Sequence, residues 1–219
     1  MAKDSNIPST HPLTPPQTEE AWLDWLRLLR SRRVGVATFF RLLDEHGTAR
    51  AALAALPDIA AEAGVANYEP SSRQDAENEW HAGQRAGATP IAFGSAEYPA
   101  LLSEITDPPP FLWAVGDIAR LNQPMTALVG ARNASSLGTR MAKRLAGELG
   151  EMGHVVVSGL ARGVDTAAHV AALDTGTIAV MHGGVDVVYP HENAVLAQEI
   201  GEKGLLLSER PMHADVQTC

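Results

Sequence analysis

The chain has 219 residues, 45% of them hydrophobic, a formal net charge of −9 and one cysteine, Cys219. That is length for one to two domains and apolar content for a sizeable core. An internal disulfide and a cysteine-built metal site are excluded, no apolar run is long enough for a membrane span, and the acidity argues against indiscriminate binding to nucleic acid.

Residues 1–17 are rich in Pro, Ser and Thr and show no apolar periodicity. They read as a disordered leader and not as an export signal, and with a single cysteine the expected setting is a reducing cytoplasm. From Thr18 the pattern turns helical. Thr18 is placed to cap, Glu19 and Glu20 suit a first turn, and Trp22, Leu26 and Leu29 recur at helical spacing. Arg30 to Arg33 close this helix. Val34-Gly35-Val36 breaks the pattern, and a second helix follows through Phe39, Phe40, Leu42 and Leu43 to Gly47. Thr48 caps a third, expected to run to Pro57.

The glycine turn between the first two helices, with Arg32 and Arg33 beside it, has two readings. Gly35 and its neighbours present amides to a DNA phosphate, or Gly35 is a helix C-cap in a small packing domain whose arginines are solvated. The packing reading is the favoured one. Charge is unevenly spread. Residues 27–50 hold six Arg against two acids, residues 51–119 two basic groups against ten acids, and residues 120–175 six basic groups against four acids. Positive charge is therefore concentrated in the first helices and again around residue 132, and a local positive field can hold phosphate on an acidic protein.

Residues 67–86 read as a polar connecting helix anchored by Trp80. Ile91-Ala92-Phe93 reads as a short strand, and Tyr98 to Leu102 as a turn into a short helix. The stiff Asp107-Pro108-Pro109-Pro110 delivers a strand over residues 111–115. This places a helical domain at 18–86 and an α/β domain at 87–219.

Three apolar runs then end in glycine turns: Thr126 to Val129 before Gly130-Ala131-Arg132, Val155 to Val157 before Ser158-Gly159-Leu160-Ala161-Arg162-Gly163, and Ile178 to Met181 before His182-Gly183-Gly184. Short β-branched runs alternating with helical patterns predict parallel strands buried on both faces, in a doubly wound α/β sheet. The helix after Arg132 is expected over residues 135–152, with Met141, Leu145 and Leu149 facing the sheet. Leu205 to Leu207 gives a fourth strand, with an open sheet edge expected after Leu207.

Ligands of such sheets bind beyond the carboxyl ends of the strands, where all three glycine turns fall. Glycine amides with a nearby guanidinium suit a phosphate. The candidate phosphate-binding residues are Gly130, Arg132, Ser158, Gly159, Arg162, Gly163, Gly183 and Gly184. The alternative is that the glycines serve helix-on-strand packing. Asp165 and His169, four apart on one side of a helix, invite a triad with Ser158. That reading is set aside, because Ser158 lies on no Gly-x-Ser-x-Gly elbow. Asp165 is expected to cap the helix and His169 to hold the loop, while Asp186, Tyr189 and Asn193 shape the third turn. No catalytic residue and no metal site is assigned. The usual dinucleotide fingerprint is missing after Val129, so no cofactor is expected.

At these residues the sequence resembles the DprA (Smf) family of DNA-processing proteins. The resemblance is carried by Val129 to Arg132, by Ser158 through Asp165 to His169, by Gly183-Gly184-Val185-Asp186 to Pro190 with Glu192-Asn193, and by Leu207 to Pro211. It extends upstream through Tyr98 to Leu102, Asp107 to Pro109 and Leu112. It implies a Rossmann-like domain preceded by a SAM-like, helix-hairpin-helix domain. It also implies a non-enzymatic role in natural transformation: binding and protecting single-stranded DNA and helping to load the RecA recombinase, with a homodimer among the candidate assemblies and no membrane. The family continues with an Arg-Asn-Arg segment, further strands and often a winged-helix-like domain, so the present chain is expected to be a fragment or a truncated form. The alternatives are a nucleotide or phosphoribosyl hydrolase using Asp165, Asp186 or Glu209, and an interaction module built on the N-terminal helices.

Overall fold

A computed structural model describes residues 13–215. Residues 1–12 of the expected leader, and Cys219, lie outside the described residues. The chain forms two compact units. The first runs to Trp80 and takes in Ala92–Gly94 and Ile105–Pro110; the second holds His81–Ile91, Ser95–Glu104 and the chain from Phe111.

The first unit is built on helices α1 (Glu19–Arg30), α2 (Val36–His46) and α3 (Ala49–Glu62). The threonine caps form as their sequence positions require: Thr18 Oγ1 accepts from the Ala21 amide at 3.3 Å and Thr48 Oγ1 from the Ala51 amide at 3.2 Å. Gly47 ends α2 at φ 75°. Gly35 is the N-cap of α2, not a C-cap of the helix before it. The core joins Trp25, Leu28, Phe39, Leu42, Leu53 and Leu56, with Leu13 packed against it. The Trp25 and Phe39 rings meet edge to face at 5.1 Å. Helix α3 does not stop at Pro57. It continues to Glu62, because Ala60 is buried in the core and Ile59 packs against it, which offsets the amide that proline lacks. The connecting helix is α4 (Arg73–Arg85).

The second unit is a Rossmann-like α/β domain. Its strands are β1 (Thr89–Ala92), β2 (Phe111–Gly116), β3 (Met125–Ala127), β4 (Val155–Ser158), β5 (Thr177–Val180) and β6 (Leu205–Ser208), in the order β1-β2-β6-β5-β4-β3. Strands β3 to β6 are parallel, and β2 runs antiparallel to β6 with Trp113 opposite Ser208. The helices are the short α5 (Ala100–Ser103), then α6 (Ser136–Glu151), α7 (Val164–Ala172) and α8 (Ala194–Lys203).

Two expectations are corrected. The sheet is not open after Leu207: β6 lies between β2 and β5, and the edges are β1 and β3. The preceding strand β2 returns to pair with β6, a non-local contact that no short pattern encodes. The packed face of α6 is not the Met141–Leu145 stripe. Those residues are 51% and 41% exposed, while Ala142 and Ala146 are buried. Ala146 joins Val156, Ala168 and Ala172 in a cluster that Leu149 covers. Close approach of α6 to α7 and β4 selects alanine over larger side chains.

Candidate nucleic-acid interface

Because β3 to β6 are parallel, the chain leaves all four at one edge of the sheet, and the loops after them gather there. The first two loops touch backbone to backbone. Ser158 Oγ donates to the Leu128 carbonyl at 2.6 Å, and the Val164 amide donates to the Ala131 carbonyl at 3.3 Å. Gly163 sits at φ 79°, and a Cβ there would overlap the Ala131 and Arg132 carbonyl oxygens. A Cβ on Gly130 would run into the Val164 side chain. Both glycines are thus required by the approach of the two turns as well as by the tightness of each.

The second turn is braced from below by side chains. Asp165 Oδ2 accepts from the Gly159 amide at 3.0 Å. Its carboxylate therefore holds the loop before α7 instead of capping that helix, whose N-cap is Gly163. His169 Nε2 accepts from the Leu160 amide at 3.3 Å, and Nδ1 lies 2.7 Å from Thr177 Oγ1, which itself donates to the Val156 carbonyl at 2.8 Å. That chain of bonds fixes a neutral imidazole with its proton on Nδ1. Burial pushes the His169 pKa down to about 4, against the opposing pull of the Asp165 carboxylate and a Ser158 backbone bond. Leu160 is fully buried at φ 55°. Asn193 Nδ2 donates to its carbonyl at 2.8 Å, and Thr166 Oγ1 donates to the Ala161 carbonyl at 2.7 Å.

The third turn is covered. Gly183 and Gly184 are buried, and the Gly184 amide donates to the Ala214 carbonyl at 2.9 Å. Ser208 Oγ donates to the Gly183 carbonyl at 2.6 Å. Asp186 accepts from the His213 amide at 2.9 Å and pairs with the His213 ring. Tyr189 is 47% exposed, ahead of a cis peptide to Pro190. The segment after β6 thus lies on the third turn, which nothing in the sequence signals.

The exposed cations near this edge of the sheet come from the first two turns and from α6. Arg132 is exposed, and among the described residues no carboxylate pairs with it. Arg162 pairs with Glu192 at 2.9 Å. On α6, Arg140 and Lys143 are exposed, and Arg144 is held by Glu148 at 2.7 Å. In the first unit the arginines are mostly engaged. Arg30 grips both oxygens of Glu79 at 3.0 and 2.9 Å, Arg50 bonds Asp24 and Glu20, and Arg41 bonds Glu45. Arg27 donates to the Ser71 carbonyl, and Arg32 lies 5.9 Å from the centre of the Tyr68 ring. Their sequence-level excess of positive charge is largely cancelled in place. Among the described residues no helix is long and apolar enough to cross a membrane, and no group of His, Cys, Asp or Glu is arranged to hold a metal ion.

Comparison with known proteins gives two family matches: the model described as DNA recombination-mediator protein A covers residues 89–219, and that of a DprA-like N-terminal HHH domain covers residues 19–82. The chain is similar to the DNA processing protein DprA of Bacillus subtilis, 38% identical over 128 residues, covering 57% of this chain and 43% of that protein. It is also similar to DprA of Streptococcus pneumoniae, 46% identical over 114 residues, covering 51% and 40%. The chain spans less than half the length of these two curated relatives. Among solved structures, DprA from Streptococcus pneumoniae superposes with a TM-score of 0.61 at 35% identity, covering 67% of this chain and 50% of that one. DNA processing protein A from Helicobacter pylori, solved for its single-stranded DNA binding mode, gives 0.55 at 32% identity, covering 61% of each.

Proposed function

We propose, on the premise that the chain belongs to the DNA recombination-mediator protein A (DprA) family, that it binds single-stranded DNA across the first two strand-end turns. The observation that carries this reading is the exposed Arg132, paired with no carboxylate among the described residues, on a turn that touches the amino end of α7. A guanidinium there, next to a helix amino terminus, offers a phosphate both bidentate hydrogen bonds and a favourable dipole. The Helicobacter pylori relative, described by its single-stranded DNA binding mode, supports the choice of ligand.

In this reading Arg132 and Arg162 meet phosphates, Gly130 and Gly163 allow the two turns to lie close enough to share one strand, and Gly159 gives its amide to Asp165. Ser158 ties the turns together. Asp165, His169 and Asn193 hold the second turn. Gly183, Gly184, Asp186 and Tyr189 form the adjoining wall. In this reading the protein acts by binding: of the carboxylates a hydrolase could use as a base, Asp165 and Asp186 accept backbone amides, which leaves Glu209 as the candidate a hydrolase would have to use. Its place is in DNA processing during transformation and recombination in the cytoplasm, protecting incoming single strands and handing them to RecA, with self-association into a homodimer as part of that role.

The test is fluorescence anisotropy of labelled oligo-dT and of the matching duplex at two salt concentrations. Tighter, salt-sensitive binding of the single strand is expected. Arg132→Ala weakens it and lowers the salt slope by about one contact. Unchanged affinity of that variant at both salt concentrations would remove Arg132 from the site.

A further inference from the structure

The Arg162 guanidinium already holds an anion. Its Nε donates to Glu192 Oε1 at 2.9 Å, with the two side chains 58% and 54% exposed. An ion pair so exposed adds little to stability. The backbone beneath it is nevertheless fixed. Asn193, directly after Glu192, is bonded to the carbonyl of Leu160, two residues before Arg162. Asn193 also reaches Thr166 Oγ1 at 3.0 Å, and Thr166 in turn donates to the carbonyl of Ala161, the residue directly before Arg162. Glu192 is thus presented to Arg162 by a clasp that joins two segments thirty residues apart. Arg132, on the adjoining turn, faces no such carboxylate among the described residues.

We propose that Glu192 is a built-in competitor for nucleic-acid phosphate at Arg162. The proposal rests on the binding reading above. A carboxylate and a phosphate oxygen ask the same thing of a guanidinium, so a phosphate that takes Arg162 must first displace Glu192 and then lie beside its negative charge. Arg132 supplies the standing attraction, and the Arg162 position opens only to a ligand already held at a second point. The pair therefore discriminates against single phosphates and in favour of a chain of them.

The experiment compares oligo-dT affinity of the wild type, Glu192→Gln, Arg162→Gln and the double variant, with Glu202→Gln as a control for net charge. Glu202 lies near the carboxyl end of α8, just before β6 begins and so away from the strand-end loops. Thermal melts by circular dichroism confirm that each variant folds. Glu192→Gln is expected to tighten binding by about threefold to tenfold at low salt, with the gain shrinking as salt rises. The gain should vanish on the Arg162→Gln background, and Glu202→Gln should not reproduce it. Equal affinities of Glu192→Gln and Glu202→Gln, or the same gain with Arg162 removed, would overturn the competitor role and leave the DNA reading standing. Failure of the wild type and every variant to bind oligo-dT would overturn that reading, and the competitor role with it.

Discussion

The side-chain amide of Asn193 donates to the carbonyl of Leu160 at 2.8 Å, across a separation of thirty-three residues. One bond ties the turn before α8 to the loop after β4, and both partners are buried. Replacing Asn193 with Ala leaves the Leu160 carbonyl without that donor in an apolar setting. The expected loss is ~1–3 kcal/mol in urea unfolding. Oligo-dT affinity should change with it, because the same clasp supports Arg162 and presents Glu192 to it. A variant that keeps both stability and affinity would show that the clasp is dispensable.

His169 makes stability depend on pH in a defined window. Its imidazole takes a proton near pH 6.5 in the unfolded chain but only at about pH 4 when folded. Between those values the unfolded state binds more protons. The contribution is therefore complete above pH 6.5 and is lost as pH falls toward 4, by ~3 kcal/mol at the end of the range. Urea midpoints at pH 7, 5.5 and 4.5 should show this slope in the wild type. His169→Gln should flatten it within that window, and an identical slope in the variant would assign it to other groups.

Gly163 combines φ 79° with carbonyl oxygens where a Cβ would go. Gly163→Ala should therefore cost ~2–4 kcal/mol, more than conformational strain alone. It should also push the Arg132 turn away from α7. Thermal melting and oligo-dT affinity should fall together. Loss of stability with full affinity would separate the packing of the two turns from binding.

Pro57 lies inside α3 on its exposed side, where its ring removes one hydrogen bond of the helix. Pro57→Ala should raise the stability of the helical unit by ~1 kcal/mol, the helix gain being partly offset by greater freedom of the unfolded chain. A lower urea midpoint would show that the proline relieves some other strain.

In the same unit, Arg30 and Glu79 form a paired, mostly buried contact, their side chains 19% and 9% exposed. Glu79→Gln should cost ~1–3 kcal/mol, since it leaves the guanidinium without its counter-charge in a partly dry place. Tryptophan fluorescence during urea unfolding reads this directly, with Trp22 and Trp80 stacked at 6.0 Å.

The elements that depend on neighbours in sequence were legible in it. Thr18 and Thr48 announced their helices, Gly47 the end of α2, and the runs before Gly159 and Gly183 their strands, whereas the run before Gly130 is strand only to Ala127 and lies at the sheet edge instead of being buried on both faces. What was not legible is set by distant partners. Leu145 looked like a core residue until α7 approached closely enough to need Ala146 instead. Gly184 resembled an anion-binding turn, yet its amide is used by Ala214, thirty residues later. Asn193 read as a residue of the third turn, but its bond to the carbonyl of Leu160 in the second turn is assigned only by folding. The arginines of α1 and α3 read as a positive field because their counter-charges, Glu20, Asp24 and Glu79, are assigned only by folding.

The position of β6 bears on how the protein comes to be made. It is the latest of the six described strands in sequence, yet it sits between β2 and β5. As a chain emerges from the ribosome, β1 and β2 can pair, and β3, β4 and β5 can form a small parallel sheet, but no strand bridges these two pieces until Leu205–Ser208 arrives. Until then both Trp113 of β2 and Ala179 of β5 line strands that each lack a neighbour. The keystone is laid late, so a nascent chain paused before Leu205 is expected to expose two unpaired strand edges, and pairing of that strand on both sides completes the sheet.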